Sequence, residues 1–182
     1  EEPQAGLYRS EDAGKTWRAV PDQPSGLMPS HGELDAEGTL WLSYGNLPGP
    51  SDVVDGAVFK YEPRAKRWSN VTPILPKDDD KFGYGGLSVD AKHPGTAMVV
   101  TIDRWARGDE VYRTADGGKT WIALGKTARY DDAGAKYLYW GRDQNPAGLS
   151  KSGWMAEVAI DPHRPERAMY VTGQGIWQSL DV

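Results

Sequence analysis

The chain has 182 residues, a net charge of −5, no cysteine, and no apolar run near the roughly 18 residues that a membrane-spanning helix needs. This composition excludes a disulfide framework and thiolate chemistry, and the absence of a Lys/Arg cluster argues against nucleic-acid binding. The 22 glycines and 13 prolines are interspersed with aromatic and β-branched residues, which is typical of short strands and tight turns.

Two motifs recur along the chain, out of phase with each other. The octet at 10–17 returns at 114–121, and a degenerate copy ends at Trp68, so the closing tryptophans recur about every 50 residues. The second motif is an apolar segment ending in Asp, followed by a second apolar segment. It occurs at 86–90 with 98–101, at 157–161 with 169–172, and more loosely at 31–35 with 40–43.

These motifs predict four short strands per period and no helix with a convincing period and caps. Four-stranded units at this spacing are typical of a β-propeller, so we predict an all-β fold of four-stranded antiparallel blades. The predicted blade pieces, all within one domain over 1–182, cover about 5–20, 31–71, 84–124 and 154–179. Because closed propellers have 4–8 blades, these three and a quarter blades predict a segment of a larger propeller or closure by another chain.

The octet S-x-D-x-G-x-T-W resembles the Asp-box, a turn motif of several propeller families. The aspartate accepts hydrogen bonds from the turn, glycine takes positive φ, and tryptophan packs between neighbouring sheets. We therefore predict structural roles, and no catalytic role, for Asp12 and Asp116.

The loops opposite the octets carry aromatic and charged residues, the combination that a sugar-binding cleft needs. Aromatic faces stack on the apolar side of pyranose rings, while charged groups bond hydroxyls. The predicted stacking residues are Trp105, Tyr44, Tyr84, Trp140 and Trp154. The predicted hydroxyl contacts are His31, Asp52, Asp103 and Arg104.

The sequence predicts no metal site and no cofactor. His31, His93 and His163 lack the spacing of metal ligands. The acidic run at 77–81 lacks the spacing of a calcium loop, so we predict a solvated turn there. No glycine-rich phosphate loop leads from a strand into a helix.

Several segments of these loops resemble family 74 glycoside hydrolases, which are xyloglucanases and related endo-β-1,4-glucanases. The segments lie at 26–32, 42–50, 82–90 and 153–162. The resemblance implies a piece of the amino-terminal one of two seven-bladed propellers that face each other across a cleft. It also implies secretion, a xyloglucan substrate, and the rest of the propeller or a second propeller as partner.

The same resemblance implies inverting hydrolysis by two aspartates, one a general acid and one a general base. No position here matches the family's catalytic turns in context, so we expect the catalytic pair outside this segment and no hydrolysis by the segment alone. The family tends to have two adjacent tryptophans where this chain has Trp105 and Ala106, which implies one stacking platform fewer.

Two other classes remain open from the residues alone. Non-catalytic Asp-box propellers, such as sortilin-like receptors and photosystem assembly factors, bind a peptide or an assembly partner, and a non-catalytic propeller could also bind a glycan. The dense loop aromatics favour sugar over peptide. Sialidases share the Asp-box but require an arginine triad and a tyrosine nucleophile, and these loops do not supply the triad.

Overall fold

The computed structural model describes residues 6–49, 51–126, 155–173 and 175–182, which form thirteen short strands and one 3-10 turn at Leu124–Lys126. Sheet A contains β1 (Tyr8–Arg9) and β2 (Arg18–Ala19). Sheet B contains β3 (Met28–Leu34), β4 (Leu40–Gly45), β5 (Gly56–Glu62) and β6 (Arg67–Asn70). Sheet C contains β7 (Gly83–Val89), β8 (Ala97–Ile102), β9 (Val111–Thr114) and β10 (Ile122–Ala123). Sheet D contains β11 (Met155–Ile160), β12 (Ala168–Thr172) and β13 (Gly175–Ser179).

Every strand pairs antiparallel with the next strand of its sheet, so each sheet is a simple meander. The predicted all-β class with four-stranded antiparallel sheets is confirmed. β3 begins at Met28, whereas the predicted blade piece starts at about 31. The sequence does not predict that the first residues of β3 belong to a strand, because Pro29 is a poor strand residue and a bulge at Ser30 interrupts the alternation.

Sheet C lies between sheets B and D and contributes to a core on each of its faces. Because successive strand residues point to opposite faces, Ala97 and Val99 of β8 pack with residues of sheet B, while Met98 and Val100 pack with residues of sheet D. β7 is buried along its whole length, and it contacts the first strands of the sheets on both sides. The sheets therefore converge on their first strands.

The two ends of the sheets differ in character. One end, here called the octet rim, carries the short turns after β3, β5, β7, β9 and β11. The other end, the loop rim, carries the long loops 46–55 and 103–110 and the connections that lead into β3 and β7. None of the described residues form a helix long and apolar enough to cross a membrane.

The two octets form the same turn. The Asp12 carboxylate accepts hydrogen bonds from the Thr16 backbone at 2.8 Å and from the Thr16 hydroxyl at 2.7 Å. Asp116 accepts the matching pair from Thr120 at 2.9 and 2.7 Å. These bonds, the threonine hydroxyl bond first, lower the pKa of each carboxyl to about 2. Both aspartates are thus engaged in holding their own turn.

Trp68 and Trp121 connect neighbouring sheets, whereas Trp17 is 61% exposed and its indole donates to the Gly14 carbonyl of its own turn at 3.1 Å. The indole of Trp121 donates to the Val71 carbonyl at 2.8 Å and meets Trp41 edge-on at 6.5 Å between ring centroids. The Trp68 indole donates to the Pro21 carbonyl at 2.9 Å. In each case a tryptophan of one sheet satisfies a carbonyl that follows the last strand of the preceding sheet.

Candidate functional site

Among the described residues of the loop rim, Trp105 is the most exposed aromatic, with 67% of its surface accessible. It lies in loop 103–110 between β8 and β9. The backbone N–H of Trp105 donates to the Asp103 carbonyl at 3.1 Å, and the N–H of Gly108 donates to the Arg104 carbonyl at 2.8 Å. These bonds form a compact turn that presents the indole to solvent.

Asp103 holds this indole in place. The Trp105 Nε1–H donates to one carboxylate oxygen of Asp103, and the other oxygen accepts from the Val53 N–H at 2.8 Å. Asp103 is buried and adopts a positive φ of 64°. The prediction that Asp103 bonds a sugar hydroxyl is therefore corrected: both oxygens are engaged within the protein, and Asp103 orients Trp105 while tying loop 103–110 to the loop of sheet B.

Arg104 is also engaged within the protein, which corrects its predicted contact with a sugar. Its guanidinium bonds both carboxylate oxygens of Asp80, at 2.9 and 2.5 Å, and lies 4.8 Å above the Phe82 ring. A third donor reaches the Tyr112 hydroxyl at 3.3 Å. Asp80 is itself buried, so the predicted solvated turn at 77–81 is wrong at this residue. The pair anchors the connection into β7.

Tyr44 and Tyr84 are core residues, and this corrects the prediction that they stack on a sugar. Both rings are fully buried. The Tyr84 hydroxyl donates to the Ile74 carbonyl at 2.7 Å, and the Tyr44 ring meets Phe59 edge-on at 5.6 Å. Burial raises the pKa of the Tyr44 hydroxyl to about 12. Neither ring offers a face to a ligand.

His31 and Asp52 keep exposed polar surface at the loop rim. Asp52 is exposed and has a positive φ of 65°. His31 lies near the start of β3, where its Nδ1 is 3.3 Å from Oε2 of Glu157 on β11. Glu157 is absent from the predicted site because nothing in the sequence relates two residues so far apart, except their matching places in the second motif.

Asp109 is a second carboxyl that sequence reasoning misses. It is buried and accepts hydrogen bonds from the Thr101 hydroxyl at 3.0 Å, the Arg104 N–H at 3.1 Å and the Met155 N–H at 3.1 Å. Burial raises its pKa to about 7, against the effect of these hydrogen bonds. Asp109 therefore joins loop 103–110 to the first residue of β11.

The predicted stacking residues Trp140 and Trp154 lie outside the described residues. Within the described ranges, no three His, Cys, Asp or Glu side chains are grouped as metal ligands would be. The loop rim thus offers one exposed, oriented indole, the half-exposed pair His31 and Glu157, and the exposed Asp52.

Known xyloglucanases resemble this chain along almost all of its length. A xyloglucanase from Paenibacillus sp is 41% identical in an alignment of 183 residues that covers 94% of the chain. Xyloglucanase Xgh74A from Acetivibrio thermocellus is 39% identical over 184 residues, again 94% of the chain. The crystal structure of the GH74 xyloglucanase from Xanthomonas campestris matches 98% of the chain with a TM-score of 0.84 at 40% identity. No family model matches the chain.

The fold defines the chain as a segment of a β-propeller with four-stranded antiparallel blades. Its sequence and structure correspond to a segment of family 74 xyloglucanases. The chain spans 18% and 22% of the length of the two curated relatives and 24% of the solved chain.

Proposed function

We propose that this segment forms part of the substrate cleft of a secreted, xyloglucan-hydrolysing endo-β-1,4-glucanase. The observation that carries the proposal is the 41% identity to a xyloglucanase over 94% of the chain. The exposed Trp105 indole supports it, because a flat apolar face held by a buried carboxylate is suited to stack on a sugar ring. The two octets serve as Asp-boxes, and the remainder of the propeller or a second propeller domain completes the cleft.

The proposed reaction is hydrolysis with inversion by two aspartates outside this segment. In such enzymes one carboxylic acid protonates the leaving oxygen while a carboxylate activates a water on the opposite face of the sugar. Among the carboxyls described at the loop rim, Asp80, Asp103 and Asp109 are buried in internal hydrogen bonds or ion pairs. The residues of this segment instead bind and orient the polysaccharide.

The full-length protein tests this proposal directly. We expect it to release reducing ends from xyloglucan but not from xylan, and proton NMR of the first product is expected to show the α-anomer. Retardation in a xyloglucan gel without hydrolysis would instead indicate a non-catalytic glycan-binding propeller. If the protein is neither retarded by xyloglucan nor able to hydrolyse it, the proposal is wrong.

Replacing Trp105 by alanine is expected to weaken xyloglucan binding by about 1–3 kcal/mol, or roughly 5- to 150-fold in Kd, because a ring contact is lost. Titration calorimetry on the full-length protein measures the change. Ile122→Ala is the matched control, since Ile122 is 61% exposed on the last strand of sheet C. An unchanged Kd for Trp105→Ala would remove this residue from the site.

A further inference from the structure

The first strands of sheets B, C and D share one irregularity near the loop rim. The pairing register shifts between Pro29 and His31 in β3, between Tyr84 and Leu87 in β7, and between Met155 and Glu157 in β11. Bulges of this kind redirect the side chains beside them and are common next to functional sites. The same device thus recurs at the same place in three successive sheets.

The residues beside these bulges occupy equivalent positions. His31, Gly86 and Glu157 each stand at the same distance before the aspartate that begins the next turn. Because β7 lies between β3 and β11, the glycine stands between the histidine and the glutamate.

Gly86 is what allows the outer two residues to meet. A Cβ atom added to Gly86 would lie 2.8 Å from Cδ of Glu157 and closer still to the Glu157 Cα. Only a residue without a side chain leaves that space free. The Glu157 side chain extends over the bare backbone of β7, and its Oε2 comes within 3.3 Å of Nδ1 of His31.

The pair is oriented and reachable. Oε1 of Glu157 accepts a hydrogen bond from the Val158 N–H at 2.9 Å, which fixes the carboxylate. The side chains of His31 and Glu157 remain 36% and 40% exposed, so a ligand can reach both. A contact this exposed contributes little to stability, so the sheets do not depend on the His31–Glu157 contact to stay together.

We propose that His31 and Glu157 form a hydrogen-bonding subsite for neighbouring hydroxyl groups of a glucan sugar. The carboxylate accepts from one hydroxyl, and the imidazole Nε2, which faces away from the Nδ1–carboxylate contact, bonds the next. This inference rests on the proposed function, because the ligand is the polysaccharide that binds at the same rim. It adds Glu157 as a binding residue and Gly86 as the residue that makes the pair possible.

The test is titration calorimetry on the full-length protein with a branched oligosaccharide that has a four-glucose backbone. His31→Ala and Glu157→Gln are each expected to raise Kd about tenfold, the usual effect of losing a hydrogen bond to a charged group. The loss of binding free energy in the double variant is expected to be smaller than the sum of the losses in the two single variants, because the residues act together. The control is Glu62→Gln, which removes an ion pair with Arg67 (2.7 Å) beside a turn of the octet rim.

The outcomes separate this inference from the proposed function. Weaker binding by both variants, with the control unchanged, supports the pair. Wild-type affinity in both variants overturns the pair and leaves the proposed function standing, whereas a wild type that binds no oligosaccharide overturns both. If a variant fails to fold, proton NMR of wild-type His31 decides: a ring shift on adding oligosaccharide supports the subsite, and an unchanged ring signal overturns it.

Discussion

At the scale of single residues, buried carboxylates organise the loop rim. Asp103 accepts from Val53 and from the Trp105 indole, so one side chain both joins two sheets and orients the exposed ring. An amide at this position has only one acceptor oxygen for two donors. The rigidity of the candidate stacking residue therefore depends on a side chain that no ligand touches.

Asp109 makes stability depend on pH. Burial raises its folded-state pKa to about 7 from the ordinary value of 3.8, so between these values the folded protein holds a proton that the unfolded chain has released. Stability is then expected to fall as pH rises from about 4 to about 7, and to level off above that range. Urea unfolding at a series of pH values measures the slope.

Asp109→Asn is expected to flatten this slope. Burial also raises the pKa of Glu110, so the Asp109→Asn variant is expected to keep a slope of the same sign that is less steep than in the wild type. Asp12→Asn is the control, because the lowered pKa of Asp12 affects stability only when pH falls below about 4. A slope in Asp109→Asn as steep as in the wild type would contradict this assignment.

The candidate site was only partly predictable because the sequence does not reveal pairing partners. The aromatic and charged loop residues were visible, but Arg104 is held by Asp80 from a different connection. Tyr84 precedes a bulge, and the sequence gives no sign that its ring faces the core. The exposure of Trp105 is predictable because it lies in a loop, where no strand register determines its direction.

At the scale of strands, the bulge of β7 predicts unequal effects of alanine at two adjacent glycines. Gly86→Ala places a Cβ against the Glu157 backbone, which must move, so we expect a loss of about 1–3 kcal/mol in unfolding free energy. Gly85→Ala meets its nearest atoms at 3.6 Å, an ordinary contact, and is expected to change stability little. Denaturant unfolding of both variants makes the comparison, and equal losses would mean that Gly86 is not needed for close approach.

Strand order and turn chemistry were the most predictable features of the fold. The Asp, Gly and Trp of each octet specify a local turn, and local turns need no knowledge of the rest of the chain. The start of β3 is not predictable from the sequence, since its first residues include a proline and a bulge, which a two-residue alternation does not describe. The turns, which depend on residues close in sequence, are therefore predictable, whereas irregular strand pairing is not.

At the scale of the whole molecule, Trp68 and Trp121 join neighbouring sheets. Trp121→Phe removes the donor to the Val71 carbonyl and part of the contact with Trp41, so we expect a loss of about 1–3 kcal/mol in unfolding free energy. Lys119→Ala, an exposed change in the same turn, is expected to alter it by less than about 0.5 kcal/mol. If both variants unfold at the same denaturant concentration, the indole does not couple the sheets.

The repeated bulge also shows how a tandem-repeat protein can diversify. His31, Gly86 and Glu157 occupy equivalent positions in the three repeats, yet they carry an imidazole, no side chain and a carboxylate. Their backbone setting is retained, with a register shift at the start of each first strand. Substitution at this one repeated position can therefore change the combination of chemical groups along the loop rim while the strand pairing of sheets B, C and D is retained.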